Sequence, residues 1–566
     1  MRLRNLALTF LSFIILPAIA QKGDHLFDDT YIHEIRMSTE DPDLWKDLLN
    51  NYDNSISEDH IYSPVHVEID GTSMDSVGLR IKGFTSALFV NGKKKPFRID
   101  FNEFRSTQQY DGLKKISLNN AVADPSSMRD MLAFNLMRKE GIHASRTVFA
   151  KVFINDEYWG LYVVVEQIDK TFLVNNFEDS KGNLYKCKQS SDLSYLGNTP
   201  DKYALQFELK TNEKDNDWSG FFNFINYLNK HGVSNEEYRE NFKEIFDIDG
   251  FLKVMAIDIL VLNWDSYYDH GRNFYLYENS NRKMTWIPWD YNFSFSDQQI
   301  DILAKTPTFM PTPKPLIRNL LTNPQMVNRL TEIYREILTD NFTTERLYPL
   351  IDQTKDLIRE ELSLDPNKLS PIEEFDMSLE QDQIVTRKDT VDVTYNLDSI
   401  YIVTNWNNIP DSILQSGIVL VDTASFDTIT LDSIFTQIDT TIYIHCFRVS
   451  IYDVKIIGLK AFIQRRIDQV NEELSNIIIT GIPDETIPDP EVLIFPNPTT
   501  DFINLSGRIT NTKFTLFIFD QTGKILLQVE NHKKIDVSDL APGIYFIEIG
   551  SGSQKHIRKF IKGISY

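Results

Sequence analysis

Asp265, Asn273 and Asp290 are three oxygen-bearing side chains that the sequence sets at the ends of short ordered elements. Apolar residues at Leu252, Met255, Ile259 and Leu262 have the spacing of a helix that delivers the chain to Asn263-Trp264-Asp265. Asn273 precedes an apolar strand, Phe274 to Tyr277. A polar turn from Asn279 to Lys283 and a second strand, Met284 to Trp289, then lead to Asp290. Phosphoryl transfer asks a protein for this kind of set: a carboxylate beside the attacking hydroxyl and hard oxygen ligands that hold magnesium on the phosphates. In that arrangement Asp265 is the catalytic carboxylate, and the hairpin brings Asn273 and Asp290 together as metal ligands. In the other reading, the same residues cap the hairpin and hold its loop.

The order Asp, Asn, hairpin, Asp is the order in which protein kinases lay out their active site. The segments Asn263-Trp264-Asp265, His270-Gly271-Arg272-Asn273-Phe274-Tyr275-Leu276-Tyr277 and Ile287-Pro288-Trp289-Asp290-Tyr291-Asn292 also follow the signature of one family almost throughout. The chain resembles the CotH family, whose members are similar in fold to protein kinases and phosphorylate spore-coat proteins. The likeness implies Asp265 as catalytic aspartate, Asp290 as metal ligand, and ATP with Mg2+ (or Mn2+) as cofactors. The loop from Asp265 to Asn273 is longer than the ordinary kinase loop, and neither His-Arg-Asp nor Asp-Phe-Gly is present, so Asp269 competes as base.

Upstream, Arg80-Ile81-Lys82-Gly83-Phe84-Thr85-Ser86 and Lys94-Lys95-Pro96-Phe97-Arg98-Ile99-Asp100 resemble a paired motif of the same family. A turn at Gly83 lets backbone approach a phosphate, and Arg80, Lys82, Lys95 and Arg98 are the cations available to meet it. A solvated basic strand is the competing reading. A helix over 126–140 begins with Arg129-Asp130 and ends at Gly141. The strand Gly160 to Asp169 that follows matches the family's Gly-x-Tyr-x-x-x-Glu-x-Ile-Asp pattern. By that likeness Glu166 faces the nucleotide or pairs with a lysine such as Lys186; alternatively it satisfies backbone donors at the next helix.

Residues 25–480 are strand-rich to about 170 and helix-rich beyond, which predicts a two-lobed α+β domain, kinase-like by the resemblance. Val, Ile, Thr and Asp alternate over 378–452 before helical spacing returns at Ile456, so that stretch reads as a β-rich insertion in the helical lobe. Its Asp-Thr and Asp-Ser pairs lack the Asp-x-Asp-x-Asp-Gly pattern of a calcium loop and read as exposed strand ends. Pro483, Pro488 and Pro490 mark a linker over 481–490, which sets off the domain spanning 21–480 from 491–566. The tail alternates in short strands separated by turns, the pattern of a small β-sandwich. Its Phe495-Pro496-Asn497-Pro498, Asp520-x-x-Gly523-Lys524 and Pro542-Gly543-Ile544-Tyr545 resemble the type A sorting domain of type IX secretion. That likeness implies the type IX machinery as partner and release or outer-membrane surface attachment.

Residues 1–20 carry Arg2 and Arg4, an apolar run to Leu16 and Ala18-Ile19-Ala20, the pattern of a secretory signal peptide. No later stretch is apolar enough for a transmembrane helix. A formal net charge of -23 argues against a nucleic-acid partner, which needs clustered Lys and Arg. Acidity instead suits solubility, or a basic, Ser-rich protein substrate. With only Cys187 and Cys446 the chain is no disulfide scaffold; one bridge or two thiols are both open. The expected function is a secreted protein kinase acting on Ser or Thr. The alternatives are a kinase-derived surface protein that binds without catalysing, and transfer of AMP.

Overall fold

The computed structural model describes residues 21–54, 61–90, 92–188, 190–230, 236–298, 300–303, 314–397, 434–438, 441–477, 493–495, 499, 501–506, 514–520, 524–551 and 554–563. The expected signal peptide and the linker over 481–490 lie outside the described residues. The chain divides into two compact units, Met1–Ile479 and Thr480–Tyr566.

The first unit opens with a closed barrel built from β1 (His33–Ser38), β2 (Ser63–Ile69), β3 (Thr72–Ile81), β4 (Phe97–Asp100), β5 (Lys115–Asn119), β6 (Thr147–Ile154) and β7 (Glu157–Glu166). Neighbours pair antiparallel except β1 and β6, whose parallel register of His33 with Ala150 shuts the ring. Strand periodicity explains the interior. Ile35, Met37, Val65, Val67, Ile69, Leu79, Ile99 and Ile116 point into one core. β7 is buried along both faces because it divides two cores. Tyr162 and Val164 face the barrel, while Leu161, Val163 and Val165 face the helical part.

That second core takes in the helix Arg129–Lys139, the helix Ile248–Leu260 and most of the later helices. Against it lies a four-stranded sheet of β8 (Asn183–Cys187), β9 (Phe207–Leu209), β10 (Phe274–Glu278) and β11 (Met284–Pro288), in the order β11-β10-β8-β9. Mixed α and β content with several sheets agrees with the expected α+β class. The barrel is an addition to it. Alternation marks each strand, but closure depends on β1 meeting a strand more than a hundred residues away, which no local pattern encodes.

Within the stretch read as an insertion, the helix Ile372–Glu380 carries the chain past residue 378. The strands Gln383–Leu397, Ile434–Ile438 and Thr441–Ile456 then form a three-stranded antiparallel sheet. The helix Leu459–Asn476 returns the chain to the core through Phe462, Ile463 and Val470. Cys187 is buried with its thiol donating to the Gly271 carbonyl at 3.6 Å, and the Cys446 side chain lies outside the described residues.

The second unit is two antiparallel sheets, one of three strands and one of four. Ile503, Leu505 and Ile535 from the first share a core with Leu516, Ile518, Ile547, Ile549 and Phe560 from the second. Among its motif residues, Asp520 accepts the Lys524 backbone N–H at 3.0 Å on its side chain. Residues 496–498 and Gly523 lie outside the described residues.

Candidate functional site

The helix Ile248–Leu260 is capped by Asp247, whose carboxylate accepts the Gly250 N–H, and its buried length holds the following loop in place. Gly271 turns the chain there at φ 70°, where an added Cβ would lie 2.7 Å from the Ser191 carbonyl oxygen. Past Phe274 and Pro288, the last register pair of the hairpin, Trp289 N–H donates to the Asn273 carbonyl at 3.0 Å. Asn273 and Asp290 therefore stand at the same open end of β10 and β11. Both adopt left-handed backbone, φ 62° and 60°, which Asn and Asp tolerate better than other side chains with a Cβ.

Asp265 is 7% exposed and joins them. Asn273 Nδ2 donates to its carbonyl at 2.8 Å and to its Oδ2 at 3.0 Å. Arg272 grips Oδ1 through Nε at 2.5 Å and through Nη2. Burial pushes the Asp265 carboxyl up, and the Arg272 charge opposes that shift. Because the Asn273 NH2 turns to Asp265, its amide oxygen is left available to a cation. The Asp290 carboxylate accepts no hydrogen bond among the described residues. Burial raises its pKa against the pull of Lys82, Arg272 and Lys186.

Those cations form the other wall. Arg80 and Arg98 are direct cross-strand partners on β3 and β4, and the Nε of each is buried without a hydrogen-bond acceptor. Like charges placed opposite each other cost stability, and an anion between them removes that cost. Burial and the neighbouring Arg98 bring Lys82 down to about 8, and the same two causes bring Lys186 to about 8. Lys186 sits on β8 opposite Tyr275 of β10. A hard divalent cation that keeps waters and takes its remaining ligands from phosphates fits Asp290 and the Asn273 oxygen. Among the described residues no group of three His, Cys, Asp or Glu side chains forms a self-sufficient metal cage.

Two expected members lie apart from this set. Lys95 donates to the Ala87 carbonyl at 2.6 Å and to that of Val90, which ties down its own loop. Glu166, 1% exposed, accepts from Arg146 Nη2 at 2.7 Å and Nε at 3.0 Å, so its partner is Arg146 rather than Lys186. Asp269 is buried, with an oxygen 3.8 Å from His270 Nδ1. The motifs carry no role for Arg272, and they offer Lys186 only as one of several possible partners of Glu166. The signal for Lys186 was a lone lysine in the strand Asn183-Leu184-Tyr185-Lys186-Cys187, whose other four residues are all buried. Two cavities of about 330 and 340 Å³ lie away from the carboxylates, beside the base of the three-stranded sheet.

Comparison with known proteins gives two family matches. Residues 79–391 match the model described as CotH kinase protein, and residues 493–563 match the secretion system C-terminal sorting domain. The chain is similar to the inner spore coat protein H of Bacillus subtilis (strain 168), 24% identical over 290 residues, covering 50% of this chain and 78% of that protein. It is similar also to invasin CotH2 of Rhizopus delemar, 21% identical over 290 residues, or 49% of this chain and 47% of the relative. Invasin CotH7 of the same fungus is 25% identical over 215 residues, 36% of this chain and 35% of its own length. The chain thus spans about half or less of the two invasins.

Proposed function

The chain belongs to the CotH kinase protein family and carries a C-terminal secretion sorting domain, and from that premise we propose that it is a secreted protein kinase moving the γ-phosphoryl group of ATP to a Ser or Thr hydroxyl. One observation carries the reading. Two carboxyls, the buried Asp265 and the part-buried Asp290, lie within the charge field of a group of cations, Arg80, Lys82, Arg98 and Lys186, whose mutual repulsion an anion would relieve.

In this mechanism Asp265 orients the substrate hydroxyl and receives its proton, while the Arg272 charge favours the ionised form against burial. Arg80, Lys82, Arg98 and Lys186 hold phosphate oxygens and neutralise the charge that spreads over them. Asp290 and the Asn273 oxygen would hold Mg2+ or Mn2+, which would supply electrostatic stabilisation of the charge on the transferring group. Lys95 and Glu166, committed to a loop and to Arg146, take no part in this mechanism. The chain's net charge of -23 favours a basic, Ser-rich protein as substrate. The sorting domain implies the type IX machinery as export partner and a place outside the cell or on its surface.

The test is transfer of label from ATP to a basic, Ser-rich protein by the full chain with magnesium or manganese, beside Asp265→Ala and Asp290→Ala. γ-Label should enter the protein and fall by about 100-fold or more in each variant. α-Label in the product would reassign the reaction to AMP transfer. Absence of both, with no nucleotide binding by calorimetry, would leave a kinase-derived binding protein.

A further inference from the structure

Three hydrogen bonds run from the cation group to the backbone beside Asp290. Lys82, which follows β3, donates through Nζ to Asn119 Oδ1 at 2.5 Å. Asn119 ends β5, and its Nδ2 donates to Asp130 Oδ2 at 2.7 Å. Asp130 stands in the first turn of the helix Arg129–Lys139 and is 4% exposed. Its other oxygen, Oδ1, accepts the backbone N–H of Tyr291 at 2.9 Å. The polarity of each link follows from the one before. An ammonium only donates, so Asn119 turns its oxygen to Lys82 and its NH2 onward, and the next group must accept twice. A carboxylate does so.

Tyr291 is the residue that fixes Asp290. Its hydroxyl donates to Asp258 Oδ1 at 2.5 Å, and its ring meets that of Phe134, on the same helix as Asp130, at 5.3 Å. Asp290 sits in left-handed backbone, a conformation that persists only where its surroundings hold it. With the next N–H bound to Asp130 and the next side chain bound to Asp258, both sides of that constraint are present.

We propose that Asp130 is a positioning residue: by holding Asn119 with one oxygen and Tyr291 N–H with the other, it sets Lys82 and Asp290 at a fixed separation across the barrel, the helix and the second sheet. The inference rests on the phosphotransfer reading given above. Asp130 touches neither substrate nor phosphate in this role and acts through the two groups it holds.

Reversing the middle link provides the test. In Asp130→Asn, the amide that still accepts Tyr291 N–H turns its NH2 toward the NH2 of Asn119, and if Asn119 turns over, it presents a donor to Lys82. In Asn119→Asp, two carboxylates face each other. The double variant Asn119→Asp/Asp130→Asn restores all three bonds, because the new amide at position 130 then donates to the new carboxylate at position 119, which also accepts from Lys82. Each single variant should lose about tenfold or more in kcat/KM for ATP, the scale of a lost hydrogen bond to a charged group. The double variant should recover to within about threefold of the native enzyme, a margin smaller than one such bond. A double variant as poor as the worse single one, or an Asp130→Asn enzyme equal to the native one, would overturn the proposal.

If the native chain transfers no label, the phosphotransfer reading falls and the relay is judged by the 15N resonance of the Lys82 ammonium. That signal should move in Asp130→Asn and return in the double variant. An unmoved signal overturns the relay independently of activity.

Discussion

Arg272 is the residue on which the ionisation of Asp265 turns. The carboxyl is buried, which alone would keep its proton, and the guanidinium on Oδ1 opposes this. Removing Arg272 raises the Asp265 pKa. In Arg272→Ala the acid limb of kcat/KM against pH should therefore move to higher pH, by about 1–2 units. An unmoved limb would mean that another group titrates there. Asp258 offers a stability counterpart. Burial pushes its carboxyl up to about 7 from an unfolded value near 4, so the folded protein holds a proton that the unfolded chain has already released over that interval. Folding stability from this group is present below about 4 and declines as pH rises to about 7. Asp258→Asn, which never ionises, should gain on the native protein by roughly 2–4 kcal/mol between pH 4 and 8 in urea unfolding. At this scale the meeting of Asp265, Asn273 and Asp290 was legible, because each ends an element whose periodicity is plain. Asp130, Asn119 and Arg272 were not legible as partners: they act through contacts between segments far apart in sequence.

Among the elements, the join between barrel and helices contains one buried ion pair. Lys94, on the approach to β4, bonds Asp365 at the end of the helix Thr344–Leu364 and donates to the Leu161 carbonyl at 2.7 Å. Asp365 also accepts the Leu161 N–H at 3.0 Å, and Gly160, at φ 124°, leaves no room there for a Cβ. Neither charge is solvated, at 3% and 0% side-chain exposure. Lys94→Met alone strands a buried carboxylate and should cost about 3–5 kcal/mol of unfolding free energy in a denaturant titration. Lys94→Met with Asp365→Asn should cost clearly less, since the stranded charge is gone. The sequence showed Lys94 only as part of a basic motif; its partner lies 271 positions away. The hairpin from Phe274 to Pro288 was legible for the converse reason, that its strands and turn are adjacent and its register local. Barrel closure, through β1 and β6, belongs with the Lys94 pair among what only the folded chain specifies.

At the scale of the whole molecule, the two units each complete their own core. The barrel and helical cores draw on residues up to Ile477, and the tail's core runs from Ile503 to Phe560, with no residue in common. Among the described residues the two sets of core residues are separate. Removing residues 480–566 should leave the midpoint of the first unit's thermal transition within about 1 °C, a shift that in a unit of this length corresponds to about 1 kcal/mol. It should also leave label transfer unchanged, since Asp265, Asp290 and the cations around them all belong to the first unit. Export should respond in the opposite way: in a host with type IX secretion, the shortened chain should fail to reach the surface or medium while its first unit stays folded. A shortened chain still exported would separate the tail from sorting, and one that unfolds would show that the tail stabilises the first unit. Assaying the transition, transfer and export on the same shortened chain tells these apart.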